Sequence, residues 1–327
     1  MSTLIIRFSS LGDIVLTAAV TAAIGDVVYV THRRYAALAK RLPGVREVIA
    51  LEVGEGVGSL AARTPPVDRV VDLHGSLRSR ALCARLGRPT RRLRRLALVR
   101  RSRVALKTPG RIQSVVERYC EAAEVDVPET PWISLPIAEN SRTLGLVPLA
   151  AHKTKQWPLE YWSKLAEGWE GPVVAFGGPE EEPLLARLQQ ESSREVTLVS
   201  ERGFDRTLEA LGGVQVVVGG DTGLLHLAAV CGVPVVGISG PTTSRDGFWC
   251  HPGLVVEADL ACRPCTRHGS EACPIGDHAC MKGLSVEDVR VAVDRLVHLN
   301  AGSPSMDKHG SGLSVGEVGN KPAGARI

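Results

Sequence analysis

Four stretches of the chain set reactive or anion-binding residue types beside turn-forming ones. The first is Ile6-Arg7-Phe8-Ser9-Ser10-Leu11-Gly12-Asp13. Gly12 permits a tight turn, and Asp13 stands at the start of a helical pattern, where the helix dipole favours a carboxylate. Asp13 therefore has two readings, a helix cap or a general base exposed in a cleft. The second stretch is Gly219-Gly220-Asp221-Thr222-Gly223-Leu224-Leu225-His226. Small residues let a ligand approach the backbone, free amides at a helix start bind phosphate, and Thr222 adds a hydroxyl. It has neither the Gly-Lys-Ser/Thr ending of a Walker loop nor the dinucleotide glycine fingerprint. Its alternative reading is a capped core helix with a packed His226.

The third stretch is Thr154-Lys155-Gln156-Trp157-Pro158. The ammonium of Lys155 is a point charge suited to a diphosphate, and Pro158 fits the first position of a helix. A surface lysine beside a helix start is the alternative. The fourth is Gly240-Pro241-Thr242, directly after an apolar strand pattern. Gly177-Gly178 repeats that placement and is followed by Glu180 and Glu181, whose carboxylates suit ribose hydroxyls. In open α/β sheets, ligands bind at the carboxyl ends of strands, where these loops belong.

The elements that must position them alternate. Strand patterns at 4–8, 27–30, 48–51 and 70–73 are interleaved with helical patterns at 13–24 and 33–41. The second half repeats this, with strands at 172–176, 196–199, 214–218 and 234–238 and helices at 180–191, 224–230 and 286–299. Such alternation predicts right-handed βαβ units and parallel sheets. Pro128, Pro131 and Pro136 fall between the halves, which predicts a boundary within 135–148. The expected domains are 1–145 and 146–300, with a Gly/Ser/Pro-rich disordered tail at 301–327.

The chain has 327 residues, 44% of them hydrophobic and 23% charged, as in an ordinary globular protein of about two domains. A net charge of +4 is too small for a dedicated nucleic-acid binder. The charge is uneven, however: from Arg78 to Arg111 there is no Asp or Glu, while Arg91-Arg92, Arg94-Arg95 and Arg100-Arg101 crowd together. This run is either a solvated basic face or a contact for an anionic glycan, membrane or polymer. No stretch resembles a transmembrane helix of roughly 20 apolar residues. Arg7 and Asp13 interrupt the first apolar run, so it is not expected to be a signal peptide. A cytoplasmic location with reduced cysteines follows. Cys83, Cys120 and Cys231 are expected to be packed thiols, and Cys250 stands apart. Cys262, Cys265, Cys273 and Cys280 have the spacing C-x2-C-x7-C-x6-C, which suits either a structural zinc ion or simply packed thiols.

In combination and order, these motifs resemble glycosyltransferase family 9, the lipopolysaccharide core heptosyltransferases. The family's Arg-x-Ser-Ser-x-Gly-Asp loop is matched by Arg7 to Asp13, and its threonine–lysine–tryptophan–proline segment by Thr154, Lys155, Trp157 and Pro158. Its Asp-Thr-Gly-x-x-His-Leu-Ala-Ala run is matched from Asp221 to Ala229, followed by Gly240-Pro241-Thr242. Asp72-Leu73-His74-Gly75-Ser76-Leu77 is similar to an N-terminal family segment. The resemblance covers roughly the first 300 residues and stops before the tail.

The resemblance implies a GT-B fold, with two facing Rossmann-like domains and a cleft between them. It implies inverting, metal-independent transfer from ADP-L-glycero-D-manno-heptose to a Kdo or heptose of the lipopolysaccharide inner core. Asp13 is then the expected base. Lys155, Thr154, Asp221, Thr222, Gly223, Leu224, His226, Gly240, Pro241 and Thr242 are expected on the donor side, with Glu180 or Glu181 on the ribose. Ser9, Ser10, Gly12, Arg78, Arg91 and Arg92 are expected on the acceptor side. No cofactor is expected, and the partners are the nucleotide sugar, the core acceptor and, peripherally, the anionic inner face of the membrane. Two rivals remain: a GT-B enzyme using another nucleotide-diphosphate sugar, and a non-enzymatic binder of anionic polymers. The second leaves Asp13, Lys155 and Asp221–His226 without a role.

Overall fold

A computed structural model describes residues 1–138, 141–201 and 203–301. Apart from Ala301, which ends the helix Val286–Ala301, the expected tail lies outside the described residues. The chain forms two parallel sheets. The first holds β1 (Thr3–Ile6), β2 (Val27–His32), β3 (Val45–Leu51), β4 (Arg69–Asp72) and β5 (Thr90–Arg92) in the order β3-β2-β1-β4-β5. The second holds β6 (Leu144–Val147), β7 (Val173–Phe176), β8 (Thr197–Val199), β9 (Val216–Gly220), β10 (Val235–Ser239) and β11 (Gly253–Glu257) in the order β11-β10-β9-β6-β7-β8. All described strand pairs are parallel. The central strands β1, β9 and β10 are buried throughout, as required of parallel strands covered on both faces.

In each sheet the first strand lies beside a later one, so the strand order reverses between β1 and β4 and again between β6 and β9. Ligand crevices open at such reversals, beyond the carboxyl ends of the strands. The Arg7–Asp13 loop leaves β1 and the Asp72–Leu77 turn leaves β4. Lys155 follows β6 and Asp221–Gly223 follows β9. The chemically marked loops thus occupy both crevices.

Several elements differ from expectation. The helix expected at 13–24 is two helices, Leu11–Leu16 and Ala18–Ile24. Thr17 separates them: its hydroxyl donates to the Ile14 carbonyl at 2.6 Å and shares a hydrogen bond with the Tyr29 hydroxyl at 2.8 Å. The change of sheet comes before residue 144, so a boundary after 145 would cut β6, which pairs with β7 and β9. The edge strand β5 was hidden inside the basic run, where its arginines mask a strand pattern.

The halves are not independent bodies. One buried apolar cluster includes Ile14 and Val15 from the first half and Leu225, Leu227 and Val230 from the second. The helix Gly223–Val230 is buried from Leu225 onward. The connecting segment is fastened to its end: Trp132 and Ile133 donate backbone N–H groups to the Val230 carbonyl at 2.8 and 3.0 Å. Trp132 also stacks on Trp249, with ring centroids 4.8 Å apart. Among the described residues, no helix is long and apolar enough to cross a membrane.

Candidate active site

The start of the helix Leu11–Leu16 meets the start of the helix Gly223–Val230. A Cβ placed on Gly12 would lie 3.0 Å from the His226 ring and 3.2 Å from the Gly223 Cα. A side chain at this position would crowd both, so glycine eases the approach, which brings Asp13 from one sheet to the phosphate-binding type of helix start on the other.

Asp13 is both cap and site residue. Its Oδ2 accepts the Ser10 hydroxyl at 2.8 Å and the Ser10 N–H at 3.3 Å, closing the first turn. The same oxygen lies 2.5 Å from Arg7 Nη2, and Oδ1 accepts the Tyr119 hydroxyl at 2.8 Å. Arg7 is anchored in turn by donating to the Leu73 carbonyl at 2.6 Å, at the end of β4. Burial alone would raise the Asp13 pKa, but the Arg7 charge and the Tyr119 and Ser10 donors outweigh it and hold the pKa below the usual carboxylate value. Burial, partly offset by Arg7, drives the Tyr119 hydroxyl well upward, so it remains a proton donor. The Asp13 side chain is 30% exposed and lines the cleft.

Across the cleft, Lys155 Nζ lies 2.6 Å from Asp221 Oδ2, and His226 Nε2 lies 3.2 Å from Asp221 Oδ1. Burial opposes the Asp221 charge, yet Lys155 and His226 together lower its pKa strongly. Asp221 therefore aims the ammonium. Thr222 caps the following helix by accepting the Leu225 N–H at 3.4 Å.

The cleft has a volume of about 360 Å³ and is lined by Arg7, Ser10, Gly12, Asp13, Lys155, Asp221, Thr222, Gly223, His226 and Thr242 among the expected residues. Its other lining includes Arg100, marked in the sequence only as part of the basic run, and Arg118, Asp246, Arg267 and His268, none of them assigned a role from the sequence. The three carboxylates are each matched: Asp13 by Arg7, Asp221 by Lys155, and Asp246 by Arg103 at 2.7 Å. Arg100, Arg118 and Arg267 have no carboxylate partner among the described residues. Arg118 is only 8% exposed, and its Nε and that of Arg100 are buried without partners. Burial first, then the nearby Arg100 charge, lowers the Arg118 pKa. Two crowded cations with no counter-charge favour an anionic occupant.

Other expected residues do different work. Thr154 is buried; its Oγ1 donates to the Ser270 carbonyl and accepts the Ser270 N–H, both at 2.8 Å, so it fastens the lysine loop rather than lining the cleft. Glu181 accepts the Gly178 N–H at 2.7 Å and is used in its own turn, which leaves Glu180 as the more exposed of the two. Neither lines the cleft, and nor do Ser9 or the half-buried Leu224.

Gly240 and Pro241, expected on the donor side, do not line the cleft. Arg263, missed in the sequence, donates to the carbonyls of Gly240 at 2.5 Å, Thr242 at 2.6 Å and Ser239 at 3.0 Å, and to Ala258, while pairing with Glu257 at 2.8 Å.

The arginines expected on the acceptor side lie elsewhere. Arg91 pairs with Glu124 at 2.7 Å, Arg92 lies 3.6 Å from the buried Asp72, and Arg78 is exposed on the helix Leu77–Leu86. Of the two readings of the late cysteines, zinc or packed thiols, the geometry offers nothing for zinc: among the described residues there is no group of three or more His, Cys, Asp or Glu that could hold a metal ion.

The sequence matches the family described as glycosyltransferase family 9 (heptosyltransferase) over residues 62–273, more than half of the chain. The chain belongs to glycosyltransferase family 9. It is 28% identical over 163 residues to lipooligosaccharide heptosyltransferase 2 of Campylobacter jejuni, a match covering 47% of this chain and 50% of that protein. The chain thus spans about half the length of the curated relatives it matches first.

Several solved structures share the fold, two of them as follows. The family 9 glycosyltransferase of Veillonella parvula superposes with a TM-score of 0.69 at 16% identity, over 91% of this chain and 97% of that one. Escherichia coli heptosyltransferase WaaC with ADP-2-deoxy-2-fluoro heptose superposes with a TM-score of 0.67 at 18% identity, over 90% and 99%. The two-sheet architecture is therefore that of GT-B glycosyltransferases.

Proposed function

We propose that this family 9 protein transfers heptose from ADP-L-glycero-D-manno-heptose to a Kdo or heptose of the lipopolysaccharide inner core, with inversion at the anomeric carbon. The observation that carries the reading is the convergence of Asp13, Lys155 and the Gly223 helix start on one cation-rich cleft. The names of the relatives support heptose as the sugar.

Asp13 accepts the proton of the acceptor hydroxyl as that oxygen attacks the anomeric carbon. Its lowered pKa keeps it ionised, and the hydroxyl becomes acidic enough to give up its proton as the new C–O bond forms. The bond to the diphosphate breaks with oxocarbenium character at the sugar. The departing diphosphate charge meets the Lys155 ammonium and the amides at the Gly223 helix start, donors of a kind worth about 3–4 kcal/mol each at developing anions in other enzymes. Lys155 has only to turn from Asp221 toward the phosphate, so the donor replaces one anionic partner with another.

The test is release of ADP from ADP-heptose in the presence of Kdo₂-lipid A, with and without EDTA. Acceptor-dependent, EDTA-resistant release is the expected result. A folded protein that gives no release with this pair but turns over another nucleotide-diphosphate sugar would keep the reaction type and overturn the donor assignment.

A further inference from the structure

The helix Ala97–Leu106 is amphipathic in the reverse sense. Its charged side faces the protein. Arg100 lines the cleft, Arg103 pairs with Asp246 and donates to the Gly110 carbonyl at 2.7 Å, and Lys107, just past the helix end, donates to the carbonyls of Cys262 at 2.8 Å and Pro264 at 2.5 Å. Its apolar side faces out: Leu98 is 78% exposed and Leu106 71%, with Val99 and Ala105 also exposed. Helices that cover a core do the opposite.

Cations surround this apolar face. Arg94, Arg95 and Arg101 are exposed on or just before the helix, and the sequence from Arg78 to Arg111 supplies no Asp or Glu. A groove beside the helix, about 360 Å³ in volume, is lined by Arg101, Val104, Ala105, Thr266, Arg267 and His268, the last two shared with the cleft. Apolar side chains ringed by arginines complement a bilayer interface, with acyl chains for the leucines and anionic headgroups for the arginines.

We propose that the outer face of Ala97–Leu106 docks the protein onto an anionic lipid surface, Leu98 and Leu106 entering the acyl boundary and Arg101 meeting headgroup phosphate. The proposal rests on the reading that the acceptor is lipid-linked for its purpose, but not for its chemistry. Because the inner face of the same helix carries Arg100 into the cleft and joins the second half through Arg103 and Asp246, docking would set the cleft mouth near the membrane plane.

The test is flotation of the full chain with vesicles of phosphatidylglycerol and phosphatidylcholine, against phosphatidylcholine alone. It uses no sugar nucleotide, so its outcome is independent of donor and acceptor identity. Stronger binding to the anionic vesicles is expected. Leu98→Ser/Leu106→Ser should reduce it by about ten-fold or more, and Arg101→Glu by about five-fold or more. None of these residues belongs to the reacting groups, so ADP release with a soluble acceptor fragment should stay at the wild-type rate while release with vesicle-borne acceptor falls. Equal binding to both vesicle types, or unchanged binding by the double leucine variant, overturns the proposal. Concentration-dependent self-association that the double variant abolishes, without vesicle binding, also overturns it and assigns the face to a second copy.

Discussion

A Cβ on Gly223 would lie 2.9 Å from the backbone nitrogen of Gly12 and 2.7 Å from the Leu11 Cγ, so these two glycines lie in the seam along which the halves of the molecule touch. The Leu11 side chain can move aside; the Gly12 backbone cannot without carrying Asp13 with it. Gly223→Ala should therefore lower kcat by ten-fold or more, at an overpacking cost of about 1–3 kcal/mol. Steady-state kinetics and denaturant unfolding of the variant measure both. A variant with wild-type kcat would show that the contact does not set the Asp13 position.

Asp13→Asn keeps a cap oxygen for Ser10 but cannot take a proton. A loss of about 10²–10⁴ in kcat is expected, with nucleotide-sugar affinity unchanged by calorimetry. An Asn variant that turns over normally would remove Asp13 from the reaction.

The pH behaviour follows from the lowered Asp13 pKa. A depressed folded-state value means that the stability from the Arg7–Asp13 pair is complete above the unfolded value, about 4, and is lost as pH falls through the lower folded one. The kcat/KM profile should show no Asp13-controlled decline from neutrality down to about pH 4. Tyr119→Phe removes one donor and should move the acid limb upward, with a rate effect no larger than about ten-fold, the scale of one hydrogen bond. Overlapping profiles would leave Tyr119 a packing residue.

Among the described residues, Lys155→Ala leaves Asp221 with His226 as its only polar side-chain contact. Nucleotide affinity or kcat should fall, by about 10²–10³ if the ammonium meets the leaving phosphate. Adding Asp221→Asn to this variant should cost less than Asp221→Asn alone, because the aiming carboxylate then has nothing to aim. Full additivity of the two changes in a double-mutant cycle would separate the residues functionally.

Arg263→Met should destabilise the Gly240–Thr242 loop by about 3–5 kcal/mol, because Glu257 loses a buried charge partner and several carbonyls lose a charged donor. Urea unfolding gives the number. A change below about 1 kcal/mol would place the support of that loop elsewhere.

The sequence revealed the parts of the site built from local backbone chemistry. Gly12-Asp13 and Asp221-Thr222-Gly223 mark helix starts by their own residue types, whatever packs around them. It did not reveal which cations face the cleft. Arg91 and Arg100 sit in the same run, yet one lies on an edge strand beside Glu124 and the other on the inner side of a helix. That difference is set by tertiary packing, as is the facing of Arg118 and Tyr119 from the helix Val115–Ala123. The capping box of Ser114 and Glu117 announces that helix but not which of its sides meets Asp13. Strand β6 escaped notice for a similar reason: Gly145 is there because a side chain would strike Val217 at 2.9 Å, a constraint that exists only once the sheet is assembled.

The seam between Gly12 and Gly223 has a consequence for fidelity. On the proposed mechanism the proton acceptor Asp13 and the phosphate-stabilising Lys155 and Gly223 helix start come from different halves, so any parting of the halves at this seam would also take the reaction centre apart. A nucleotide sugar reaching the parted protein would meet water and one half of the machinery, never both halves together. Wasteful hydrolysis of the donor would then require the closed seam, where the acceptor would occupy the space that water needs.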